Sequence, residues 1–242
     1  MKLYKFDNYQ EYKEVQVKGY NAKVNTHSWV DTHAIRGLVS YIVDYNSDVS
    51  FGICHGTRRG IEQHEFNKTF KLLDMDVNVI GTEIAGDAKD RFPNTIEWDF
   101  HEVKDEWVGN VDFIYSNSFD HSYKPKECLD TWMSCLSKKG LCIIEWNIDC
   151  ENNPRPMDPF AASYDEYKEM IEKKYEIIDV LQSDKEHDES SFMGVRSTVD
   201  ERTGKIVSEE KDWVMVKDVQ DKEAVQRYFF IIKNRDLKNE KN

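Results

Sequence analysis

Glu83, Asp99, Asp120 and His121 are the side chains best suited to chemistry, and each stands at the end of a short apolar or aromatic run. Glu83 closes Val79-Ile80-Gly81-Thr82, and an acid at a strand end is placed to accept both hydroxyls of a ribose. Asp99 lies between Trp98 and Phe100. That composition suits a carboxylate accepting from an exocyclic amine while a ring packs on the base, and it equally suits a cap on the following turn. Asp120 and His121 fall in Tyr115-Ser116-Asn117-Ser118-Phe119-Asp120-His121-Ser122-Tyr123, whose small polar groups are poor core material. An imidazole there is a candidate base, with Asp120 to orient it or replace it; packing within the loop is the other reading.

A fourth feature is the turn Gly52-Ile53-Cys54-His55-Gly56-Thr57-Arg58-Arg59-Gly60. Glycines between a strand and a helix let backbone N–H groups approach a ligand. The 27 residues from Gly56 to Glu83 are within reach of a strand–helix–strand unit, but the GxGxxG spacing of a dinucleotide site is missing. An NAD-dependent dehydrogenase is therefore disfavoured.

These residues need elements to hold them. Val49–Cys54, Val77–Thr82, Val111–Ser116, Leu141–Trp146 and Tyr228–Ile232 read as strands covered on both faces, with Glu176–Leu181 as a weaker sixth. Between them, Ile61–Met75, Pro125–Ser137 and Ser163–Lys174 carry apolar residues at helical spacing, as does Asp31–Val43 ahead of the first strand. Lys138-Lys139-Gly140 is expected to end the Pro125 helix as a cationic last turn with a C′ glycine. The alternation predicts right-handed crossovers and a mostly parallel sheet with helices on both faces. Such a sheet binds ligands beyond the carboxyl ends of its strands. We expect one domain over 1–242: an N-terminal helical segment (1–48), a core (49–182), a charged hairpin insertion (183–211), closing strands (212–234) and a frayed tail (235–242).

Composition narrows the partners. Lys and Arg total 33 against 46 Asp and Glu, a net charge of −13. That disfavours nucleic acid and anionic membranes. No apolar run is long enough to span a bilayer, and the first residues contain no signal-like stretch, so a cytoplasmic protein is expected. Five cysteines without a CxxC pair argue for buried free thiols. No recognised ligand spacing occurs, and no metal is expected.

Taken together, the four strand ends resemble the class I S-adenosylmethionine-dependent methyltransferases, in particular the small-molecule, type 11-like branch. The family's acid-x-G-x-G-x-G motif aligns with Gly52-Ile53-Cys54-His55-Gly56-Thr57-Arg58, where Gly56 alone matches and Gly52 replaces the acid. Glu83 matches the ribose acid and Asp99 the acid near adenine, while Asn117 and Ser118 fall where the fourth-strand motif lines the methionine side. The resemblance implies a Rossmann-like three-layer α/β sandwich with a seven-stranded, mostly parallel sheet and an antiparallel last strand. It implies S-adenosylmethionine as cofactor, with Cys54, His55, Gly56, Thr57, Arg58, Glu83, Ile84, Asp99, Phe100, Asn117, Ser118 and Phe119 around it.

Methyl transfer to a hydroxyl needs alignment and removal of one proton, a task assigned to His121, with Asp120 as helper or substitute. An acceptor that is already nucleophilic needs no base. The expected acceptor is a small molecule: a sugar, a phosphosugar or a nucleotide-linked precursor of a surface polysaccharide. Arg155, within the proline-rich stretch 152–160 that is expected to wall the acceptor pocket, could meet an anionic group or be an ordinary surface arginine. Trp29 could cover the cofactor site or anchor the N-terminal segment. A homodimer is left open. The competing readings are a protein or RNA methyltransferase and a non-catalytic cofactor-binding module.

Overall fold

The computed structural model describes residues 1–24, 30–183, 189–199, 206–217 and 227–235, the stretches 189–199 and 206–217 as backbone only. The chain begins β1 (Lys2–Leu3), α1 (Tyr9–Lys23), α2 (Thr32–Tyr45), β2 (Phe51–His55), α3 (Ile61–Leu72) and β3 (Asn78–Glu83). It continues α4 (Ala88–Arg91), β4 (Thr95–Glu97), β5 (Val111–Ser116), α5 (Pro125–Cys135), β6 (Leu136–Asn147) and β7 (Phe160–Ala161). It closes with α6 (Tyr164–Glu172), β8 (Glu176–Ser183), β9 (Glu189–Val199), β10 (Ile206–Lys217) and β11 (Arg227–Lys233).

Seven strands form one sheet in the order β4-β3-β2-β5-β6-β11-β8. The β2–β3, β2–β5, β3–β4 and β5–β6 pairs are parallel, while β11 runs antiparallel to both β6 and β8. The expected architecture is present, the antiparallel strand last in sequence. Alternate residues of β5 feed two cores. Ile114 packs with Trp132, Met133 and Tyr167 on the α5/α6 face, and Phe113 and Tyr115 pack with Leu38, Phe66 and Phe70 on the α2/α3 face. All five cysteines are free and buried.

Local signals set several boundaries. Asp31 caps α2 by accepting from the N–H groups of His33 and Ala34, and Ser163 with Glu166 forms a capping box on α6. The expected end of α5 is wrong in one respect. The helix stops at Cys135 and β6 starts at Leu136, so Lys138-Lys139-Gly140 lies inside a strand. Pairing with β5 jumps from Val111↔Leu136 to Phe113↔Leu141, so residues 137–140 form an irregularity in β6. At Gly140 a Cβ would lie 2.7 Å from the Val111 carbonyl oxygen, and close approach rather than capping fixes the glycine.

β9 and β10 pair as an antiparallel hairpin between β8 and β11, reaching to Lys217. Residues 200–205 between these strands, together with Trp29 and the tail after Arg235, lie outside the described residues. No helix among the described residues is long and apolar enough to cross a membrane.

Candidate functional site

A cleft opens at the carboxyl edge of β2, β3, β4 and β5, and α1 roofs it. Gly56, Arg58, Glu83, Ile84, Asp99, Phe100, Ser118 and His121 line it, which brings together eight of the residues expected from sequence. Cys54, His55, Thr57 and Phe119 are buried behind the wall instead. Phe119 turns into the α5/α6 core against Trp132 and Phe160. His55 stacks on Trp132 and bonds the Thr82 hydroxyl at 2.8 Å, and burial lowers its imidazole to about 3.

The turn after β2 is shaped by a left-handed backbone at Gly56 (φ 73°), Arg58 (φ 42°) and Gly60 (φ 71°). A Cβ on Gly56 would lie 2.8 Å from Cβ of Ser118. Four of its N–H groups are engaged within the protein. Gly56 and Thr57 both donate to the Thr82 carbonyl (3.0 and 3.1 Å), Gly60 donates to Thr57, and Arg58 donates to Oε2 of Glu83 at 3.0 Å. The turn is thereby tied to β3.

Glu83 is buried, which raises its carboxyl; the N–H groups of Ala85 and Arg58 offset part of that. Ala85 reaches Oε1 at 3.3 Å, and both oxygens keep acceptor capacity for the hydroxyls of a ribose. Asp99 serves the turn and lines the cleft together. Its Oδ1 accepts from the backbone N–H and Nδ1 of His101 (2.9 and 2.7 Å), and its Oδ2 accepts from the Tyr9 hydroxyl at 2.8 Å. Burial acts to raise this carboxyl, but the bonds from His101 and Tyr9 win and hold it below the usual range. His101 Nε2 also lies 2.8 Å from Ser122 Oγ, giving the spacings of a nucleophilic triad. Ser122 is 0 % exposed, so no substrate reaches it, and the chain braces the loop.

At the other edge of the cleft, Gln16 orients His121. Nε2 of Gln16 donates to the carbonyls of Pro156 and Met157 (3.3 and 3.2 Å), which turns Oε1 toward His121 Nδ1 at 2.9 Å. Nδ1 therefore carries the hydrogen, and Nε2 is left to take up a proton. Nε2 faces Asp158 at 3.6 Å, and Asp158 also pairs with Arg155, so Arg155 is an exposed partner of that acid. Asp120, His121 and Asp158 each bring a ligand atom to within 4.8 Å of the others. Asp120 is raised, first by burial and then by the nearby Asp158.

Sequence reasoning missed the roof. Tyr12, Gln16, Gly19, Tyr20 and Lys23 of α1 line the cleft, with Met157 from the proline-rich stretch. Their spacing of three and four along one helix was the available signal.

No protein-family model and no curated protein matches the sequence. Among solved structures, the chain is similar to 1,6-didemethyltoxoflavin-N1-methyltransferase of Burkholderia thailandensis, crystallised with 1,6-didemethyltoxoflavin and S-adenosylhomocysteine. That likeness has a TM-score of 0.62 at 11 % identity, over 96 % of this chain and 93 % of the other. It is also similar to the plantazolicin methyltransferase BpumL, in complex with a triazolic desmethylPZN analog and S-adenosylhomocysteine. Here the TM-score is 0.54 at 12 % identity, over 93 % of this chain and 96 % of that one. The chain has the fold of the class I S-adenosylmethionine-dependent methyltransferases.

Proposed function

We propose that this chain transfers a methyl group from S-adenosylmethionine to a small molecule, with an acceptor oxygen as the target. One observation carries the reading: buried Glu83 and Asp99 close adjacent strand ends in a roofed cleft whose glycine turn is tied to β3. The donor set fits the cofactor. Glu83 keeps acceptor capacity for the ribose hydroxyls, Asp99 and the Phe100 ring suit the base, and Gly56 admits close approach beside Ser118. The cofactor supplies a methyl already activated on a sulfonium.

The remaining tasks are alignment and, for a hydroxyl, proton removal. His121 Nε2 is the proton acceptor, with its tautomer set by Gln16. The net charge of −13 supports a small acceptor over a nucleic acid. Sugars, phosphosugars and nucleotide-linked sugars are the acceptor classes to offer first, on the strength of the sequence resemblance. The test is calorimetric titration with S-adenosylhomocysteine, then incubation of labelled cofactor with that panel. Binding and label transfer are expected. No heat at millimolar ligand would overturn the reading in favour of a non-catalytic module.

A further inference from the structure

Glu62 stands in the first turn of α3 and is only 6 % exposed. Its Oε1 accepts from Nδ2 of Asn117 at 3.2 Å, whereas Oε2 is buried with no hydrogen-bond partner among the described residues. The hydroxyl of Thr57, in the turn just before α3, is a second orphan. An acid buried with a bare oxygen is costly unless something else completes it.

Its place relative to the cleft is fixed by a short chain of bonds. Asn117 Oδ1 accepts from the Ser118 hydroxyl at 3.0 Å, and that hydroxyl lies 3.1 Å from the Gly56 carbonyl oxygen. Gly56 and Ser118 both line the cleft, so Glu62 sits one side chain behind its wall, at the ends of β2 and β5. Asp99, Glu83, Gly56 and Ser118 stand at or just past the ends of β4, β3, β2 and β5, which are neighbours in that order across the sheet. An adenosine held by Asp99 and Glu83 would therefore direct its 5′ substituent toward Gly56, Ser118 and the acid behind them.

We propose that Glu62 is the counter-charge for the ammonium of the ligand's amino-acid tail, with Asn117 as the side chain that steers its carboxylate. The inference rests on the cofactor reading above. Burial pushes Glu62 up to about 7, partly offset by Arg58 and Arg59 of the turn and by Asn117. Cys54 of β2 and Tyr115 of β5 face it as well, with Glu145 beyond Tyr115. A cation selects the ionised carboxylate. Binding below pH 7 therefore requires Glu62 to lose a proton, and affinity weakens up to about tenfold per unit as the pH falls.

The test compares two ligands by calorimetry: S-adenosylhomocysteine, and 5′-methylthioadenosine, which shares the nucleoside and sulfur but lacks the amino-acid end. Glu62→Gln should weaken S-adenosylhomocysteine by about 10- to 100-fold and leave 5′-methylthioadenosine within about twofold. The wild type should bind S-adenosylhomocysteine more tightly at pH 8 than at pH 6, and Glu62→Gln should flatten that dependence. Asn117→Ala, whose carboxylate partner stays in place, should show a smaller loss in the same direction. Equal affinity in wild type and Glu62→Gln, or equal loss of both ligands, would overturn the proposal. Wild type that binds neither ligand would instead remove the cofactor reading itself.

Discussion

A Cβ built on Gly52 would lie 2.2 Å from Cζ of Phe113, so the ring fills the space that a side chain on β2 would need. Phe113 in turn packs on Phe66 at 5.0 Å and Phe70 at 5.8 Å between ring centroids. An aspartate at this position would have to displace an aromatic core. Gly52→Ala should cost about 1–3 kcal/mol through overpacking, and Gly52→Asp more. Urea unfolding checks it; a wild-type midpoint for Gly52→Ala would show that the ring yields freely.

Glu83 should control cofactor affinity more than any other cleft acid. Glu83→Ala removes the acceptor of the Arg58 and Ala85 N–H groups together with the hydroxyl acceptor. A loss of about 10- to 100-fold in S-adenosylhomocysteine affinity is expected from charge-assisted bonds worth about 1.5–3 kcal/mol. Unchanged affinity in a titration would place the ribose elsewhere.

His121→Ala should lower turnover by ~10²-fold or more while cofactor affinity stays close to wild type. Gln16→Leu removes the acceptor for the Nδ1 hydrogen, and it should alter the pH–rate profile as well as kcat. Turnover that survives His121→Ala unchanged would assign the acceptor's proton to another group or to none.

Acid should destabilise the fold through His55. Its buried imidazole is held near 3, below the ordinary 6.5, so the unfolded chain takes up the proton first. This contribution is complete above pH 6.5 and is lost as the pH falls toward 3, by on the order of 4 kcal/mol. His55→Gln, which does not titrate, should flatten that stretch of the stability curve. Parallel curves for the two proteins in urea at pH 4 to 7 would rule the explanation out.

Most of the sheet was legible because its strands are buried on both faces and read as unbroken apolar runs such as Phe113-Ile114-Tyr115. Glu83 and Asp99 were legible because an acid ending such a run has few reasons to be there. α1 was harder to read: its buried face is Tyr12, Gln16, Gly19 and Tyr20, which is not an apolar stripe. The start of β6 was hidden because Lys-Lys-Gly is a good helix ending locally, and only pairing with β5 decides otherwise. The spent N–H groups of Gly56 and Thr57 depend on the Thr82 carbonyl, a contact 26 residues away from Gly56 that no local pattern encodes.

That tie to Thr82 bears on selectivity in a solution crowded with adenine nucleotides. ATP, ADP and NAD present the same adenosine surface as a sulfonium nucleoside, and they differ where the 5′ group carries diphosphate. With the Gly56, Thr57 and Arg58 amides committed to the neighbouring strand, the loop offers a polyphosphate fewer free donors. Two of those amides end on the Thr82 backbone carbonyl and would stay committed after any side-chain substitution, while the Arg58 amide depends on Glu83.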